Sequence, residues 1–110
     1  MANLQSLRTI ALSFPEAVEE PHFEKTSFRV RKKIFATSSE GTSLCTVKLS
    51  LKDQDLFGLH DSSAIYPVPN KWGMQGWTIV DLAKVKDDVL REILISAYTE
   101  VAPSSLNETL

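Results

Sequence analysis

The chain is poor in the residues that build the most familiar sites. Its single cysteine, Cys45, rules out an intramolecular disulfide and a metal site made only of thiolates, so folding must rest on burial. Its four glycines, at 41, 58, 73 and 76, fit neither a Walker loop nor a dinucleotide fingerprint, which removes support for a nucleotide cofactor of those types. The two histidines, His22 and His60, lie outside any metal-ligand spacing, even with Glu19, Glu20 and Asp61 near them in sequence. No apolar run is long enough for a membrane-spanning helix. The start, Met1 to Phe14, lacks the basic, apolar and small-residue succession of an export signal, so a cytoplasmic protein is expected.

What remains suits one ordinary core: 110 residues, 43% of them hydrophobic, in a single domain over residues 1–103 with a frayed tail at 104–110. The net charge of −2 is unevenly spread. Between Glu24 and Lys52, seven cations face two acids, a local balance of +5. The rest of the chain is strongly acidic.

Asn3 is placed to cap a helix whose apolar residues Leu4, Leu7, Ala11 and Phe14 recur at helical spacing, and Pro15 limits it. After an acidic connector, Glu16 to Glu20, Phe28 and Val30 alternate with Ser27, Arg29 and Arg31 as in a strand with one wet face. A turn at Arg31, Lys32 and Lys33 leads to a second strand, Ile34 to Ser38. A third, Leu44 to Leu49, should turn Cys45, Val47 and Leu49 inward, making Cys45 an inert buried thiol.

Ser50 and Asp53 open a short helix ending near Gly58, and residues 60–76, rich in proline and glycine, read as a long loop. Trp77 to Leu82 gives a fourth strand. Val89, Leu90, Ile93, Leu94, Ala97, Tyr98 and Val101 form the stripe of a closing helix. The expected fold is α+β, in the order α-β-β-β-α-β-α, with an antiparallel sheet covered on one face by helices.

Three stretches carry a family likeness: Pro21-His22-Phe23 through Lys33-Ile34-Phe35-Ala36-Thr37; Tyr66-Pro67-Val68-Pro69; and Trp72-Gly73-Met74-Gln75-Gly76-Trp77-Thr78. With the closing Ala97-Tyr98 and Val101-Ala102-Pro103, they make the chain resemble the MmcQ/YjbR family over roughly residues 4–103. The resemblance implies a two-layer sandwich like that of the CyaY/frataxin group. It also implies a label of DNA binding, attached to a proposed double-wing arrangement of hairpins, and no set of catalytic residues. Iron handling by frataxins goes with an acidic helix and edge, whereas the first strand here is basic, and fold alone does not transfer function.

The expected function is therefore that of a binding domain without enzymatic activity, cofactor or metal. Nucleic acid is the most concrete ligand, held by Arg29, Arg31, Lys32, Lys33 and Lys48, which could grip phosphates without reading bases. A solvated sheet face whose cations favour solubility gives the same pattern. The alternative is a protein-interaction or small-ligand module using the 66–77 loop, where Tyr66, Lys71 and Trp72 bring aromatic and cationic groups together. Trp77 reads as a plug over the sheet edge and Trp72 as the more open of the two tryptophans. His22 is expected to order the connector through a side-chain hydrogen bond.

Overall fold

The computed structural model describes residues 1–107. Helix α1, Leu4–Leu12, begins at Asn3, whose side chain accepts from the Ser6 N–H at 2.9 Å while Ser6 Oγ accepts from the Asn3 N–H. This reciprocal cap satisfies two of the amide groups that a helix start leaves unpaired. The chain then turns through Pro15 and Glu16 into β1, Ala17–His22.

The acidic connector is thus an edge strand. It pairs antiparallel with β2, Lys25–Val30, from Ala17 opposite Val30 to His22 opposite Lys25. Pro21 and the carboxylates hide its period, and an edge is where a sheet tolerates them. Glu19 meets Arg8 at 2.7 Å, tying β1 to α1.

Strands β3, Lys33–Ser38, and β4, Leu44–Lys48, continue the sheet. The β2–β3 turn holds Arg31 and Lys32 at φ of 48° and 71°, the twist that suits a two-residue hairpin. Phe28 lies opposite Ala36 and Arg29 opposite Ile34, so Phe35 is an extra residue in β3. That bulge buries both Phe35 and Ala36 and turns Ile34 to the other face.

Helix α2, Leu51–His60, starts at Ser50, whose Oγ accepts from the Asp53 N–H, and runs past Gly58. Within the expected loop lie a short strand, β5, Ile65–Pro67, and a 3-10 turn at Gly73–Gln75. Strand β6, Trp77–Asp81, sits between β4 and β5, giving the antiparallel order β1-β2-β3-β4-β6-β5. Helix α3, Asp87–Val101, closes the domain. The six-stranded sheet with helices packed against it is the expected α+β architecture, with β1 and β5 added at its two edges.

The core lies between α1, α3 and the inner sheet face. Leu90, Ile93, Leu94 and Ala97 are fully buried with Leu7 and Ala11, and Cys45, Val47 and Leu49 point inward as their alternation requires. Each such large side chain contributes about 1.5–3 kcal/mol through burial. Tyr98 anchors an aromatic trio, its ring 5.1 Å from Phe14 and 5.6 Å from Phe35. Residues 104–107 form a helical turn, α4, that lays Leu106 against the core, where a frayed tail was expected; positions 108–110 lie outside the described residues. Among the described residues, no helix is long and apolar enough to cross a membrane.

Candidate functional site

The sheet face away from the helices carries Ser27, Thr37, Thr46, Ile79 and Tyr66 in one row across neighbouring strands. Ser27 Oγ donates to the Glu20 carbonyl and accepts from Arg29 Nε, both at 2.9 Å, so the Arg29 side chain lies close over the sheet. Thr37 and Thr46 hydrogen-bond to each other through their hydroxyls.

A tightly fastened loop rises beside this face. Asn70 Oδ1 accepts from the Trp72 N–H at 2.8 Å, and the Trp77 N–H donates to the Trp72 carbonyl. From α2, the buried Gln54 donates its amide to the carbonyls of Gly73 and Trp77 and to Thr78 Oγ1. Lys48 Nζ donates to the Gln75 carbonyl at 2.6 Å. Two glycines are sterically required: a Cβ at Gly73 would lie 2.0 Å from the Val68 carbonyl oxygen, and one at Gly76 would lie 1.9 Å from that of Leu49. So held, the loop leaves Trp72 52% exposed.

Loop, sheet and first hairpin enclose a cleft of about 460 Å³. Val68 and Trp72 form its loop wall, His22 and Lys25 its hairpin wall, and Ile34, Thr37, Thr46 and Trp77 its floor. The volume falls within the ~300–1,000 Å³ common for small-molecule sites. An apolar loop wall facing a cation, over a floor with a hydroxyl pair, suits binding and orientation.

The expected basic patch is rearranged. Arg31 turns to Glu16 in a two-pronged ion pair, with Nε and Nη2 each 3.1 Å from a carboxylate oxygen. That contact lowers the Glu16 pKa and raises that of Arg31. With Arg29 bonded to Ser27 and Lys48 to Gln75, only Lys32 and Lys33 of the five are exposed without an internal side-chain partner among the described residues.

Of the loop residues, Trp72 lines the cleft, Tyr66 lies beside Ile79 on the same face, and Lys71 is exposed. Trp77 is half-buried in the cleft floor, because the phase of β6 sends Thr78 and Val80 inward in its place. His22 makes an edge contact with Phe23, with ring centres 4.8 Å apart, where a hydrogen bond was expected.

Lys25, Thr37 and Thr46 line the cleft although sequence reasoning passed over them, and His22 lines it although it was read as ordering the connector. Alternation within each strand signals which way they face, but only the register brings them together. Cys45 stays below the sheet, its thiol pKa pushed up to about 12 by burial and, to a lesser degree, by the Asp81 carboxylate. Among the described residues, no three His, Cys, Asp or Glu side chains are grouped so as to hold a metal ion.

The family model described as YjbR matches residues 12–100. The fold is similar to the crystal structure of Deinococcus radiodurans protein DR2400, described as a DUF419 domain, with a TM-score of 0.79 at 19% identity. That alignment covers 99% of this chain and 88% of the other. No curated protein matches the sequence.

Proposed function

The chain belongs to the YjbR family, and from that premise we propose that it is a non-enzymatic binding domain whose site is the cleft between the 68–77 loop and the β1–β2 hairpin. The observation that carries this reading is Trp72, a large aromatic left half exposed at the wall of a cleft by a loop that five side-chain hydrogen bonds to Gly73, Trp77, Thr78, Gln75 and Trp72 hold in place. Holding an exposed indole against a rigid support limits the entropy lost when a ligand covers it.

Soaking crystals of the protein in a mixture of small aromatic and polar fragments tests the reading. Fragments gathering between Trp72 and Lys25 support it. Fragments that occupy other surfaces and leave this cleft empty overturn it.

A second reading, duplex DNA gripped by the β2–β3 hairpin, is favoured by Lys32 and Lys33, which stand exposed at its tip. Replacing both with alanine should lower duplex affinity and flatten its salt dependence. Unchanged binding removes this reading.

A further inference from the structure

We infer that the cleft takes an unpaired nucleotide, with its base stacked on Trp72 and its phosphate met by Lys25. This rests on the binding reading above and adds the chemistry of the ligand.

Charge supplies the first reason. The chain holds 14 acidic residues, yet among the described residues no carboxylate lines the cleft, and Lys25 stands in its wall with no ion pair to any of them. An excess of acids elsewhere and a cation here favour an anionic ligand. Ring chemistry supplies the second. Both tryptophans of the chain line this one cleft, with Val68 and Ile34 adding apolar surface, a setting for a planar π-system.

The floor narrows the choice further. When one of the Thr37 and Thr46 hydroxyls donates to the other, the pair retains one hydroxyl hydrogen and spare lone pairs. It can therefore answer a donor or an acceptor on the edge of a heteroaromatic ring, which a hydrocarbon ring lacks. A base with a sugar phosphate matches all three features. The base must be unpaired, because a duplex keeps its ring faces inside the stack.

The hairpin also offers a way onward. At its tip Phe23 is 93% exposed, with its ring beside that of His22, a second aromatic surface for a neighbouring base. A free nucleotide and a single strand share this chemistry, and titration separates them.

A purine nucleoside monophosphate and a short single-stranded oligothymidylate are titrated into the intact protein, with a duplex of equal length and inorganic phosphate as controls. Since both tryptophans lie in the cleft, their emission reports its occupancy directly. Saturable quenching by the monophosphate identifies a free nucleotide; tighter quenching by the oligothymidylate identifies a single strand. In either case Trp72→Ala should weaken binding about tenfold, the size of one lost stacking contact.

Trp72→Phe should keep most of the affinity, and Lys25→Met should lose affinity together with salt dependence. Thermal midpoints show whether each variant stays folded. The inference is overturned if neither probe quenches, if duplex or inorganic phosphate does as well, or if Trp72→Ala binds like wild type. Failure of both nucleotides while fragments still occupy the cleft removes the nucleotide and leaves the binding reading standing.

Discussion

Gln54, in the middle of α2, donates its side-chain amide to the carbonyl of Gly73 at 3.0 Å, across 19 residues of sequence. The same nitrogen meets the Trp77 carbonyl at 3.2 Å and Thr78 Oγ1 at 3.1 Å, so one buried amide joins the helix, the Trp72 loop and β6. Gln54→Leu keeps the volume and leaves these acceptors without that donor. The expected loss is about 1–3 kcal/mol, read as a lower urea midpoint, and acrylamide should quench Trp72 more readily. A midpoint equal to wild type would show that the loop stands without this tie.

Gly76→Ala should be costlier than an ordinary surface change. Gly76 has a φ of +104°, a region L-residues rarely enter, and its missing Cβ makes room for the Leu49 carbonyl. Roughly 2 kcal/mol or more of stability should be lost. Gly41→Ala separates the two causes: its φ is +84°, yet nothing lies within 4 Å of the added carbon. Equal losses at the two positions would refute the steric part of this account.

Tyr98 donates its phenolic hydroxyl to the Pro15 carbonyl at 2.7 Å, fastening α3 to the turn after α1. Tyr98→Phe removes that bond and retains the ring contacts with Phe14 and Phe35, so about 1 kcal/mol should be lost. Tyr98→Ala also empties the centre of the aromatic trio and should cost about 3–5 kcal/mol, by analogy with other large aromatic truncations. Thermal unfolding of both variants checks the ranking, and a Phe variant as unstable as the Ala one contradicts it.

How much of this was legible depended on whether a pattern was local. The stripe from Val89 to Val101, the Asn3 cap and the inward turn of Cys45, Val47 and Leu49 all show in neighbouring residues, and the fold follows them. Strand β1 was masked because an edge strand can carry Glu19, Glu20 and Pro21 with no clean alternation. Strand β5, three residues long, gives too short a pattern to separate from a loop.

Within the site, Trp72 was visible from composition alone, since an aromatic among turn residues has little local packing to hide it. Lys25, Thr37 and Thr46 were not, because each became a cleft residue only through pairings such as Thr37 opposite Thr46. The basic stretch is arranged differently in the fold for a related reason. Sequence counts charges, but the hairpin twist carries Arg31 to Glu16, 15 positions earlier, and takes it out of the patch.

Cys45 gives the prediction with the most definite pH dependence. It is fully enclosed beneath the sheet, and burial holds its thiol neutral up to about 12, well above the ~8.5 of a thiol in an unfolded chain. Below the unfolded value both states keep the proton, and the group adds no pH dependence. Above it the unfolded chain gives up its proton while the folded protein retains it, so stability must fall as pH rises toward 12.

Urea unfolding followed from neutral to alkaline pH should show this slope in the wild type and a shallower one in Cys45→Val. A second measurement isolates access from titration: at neutral pH, an aromatic disulfide reagent should modify the thiol only as fast as the protein opens, and at once in urea. Rapid stoichiometric labelling of the native protein, or identical alkaline slopes in the two proteins, would contradict a sealed and neutral Cys45.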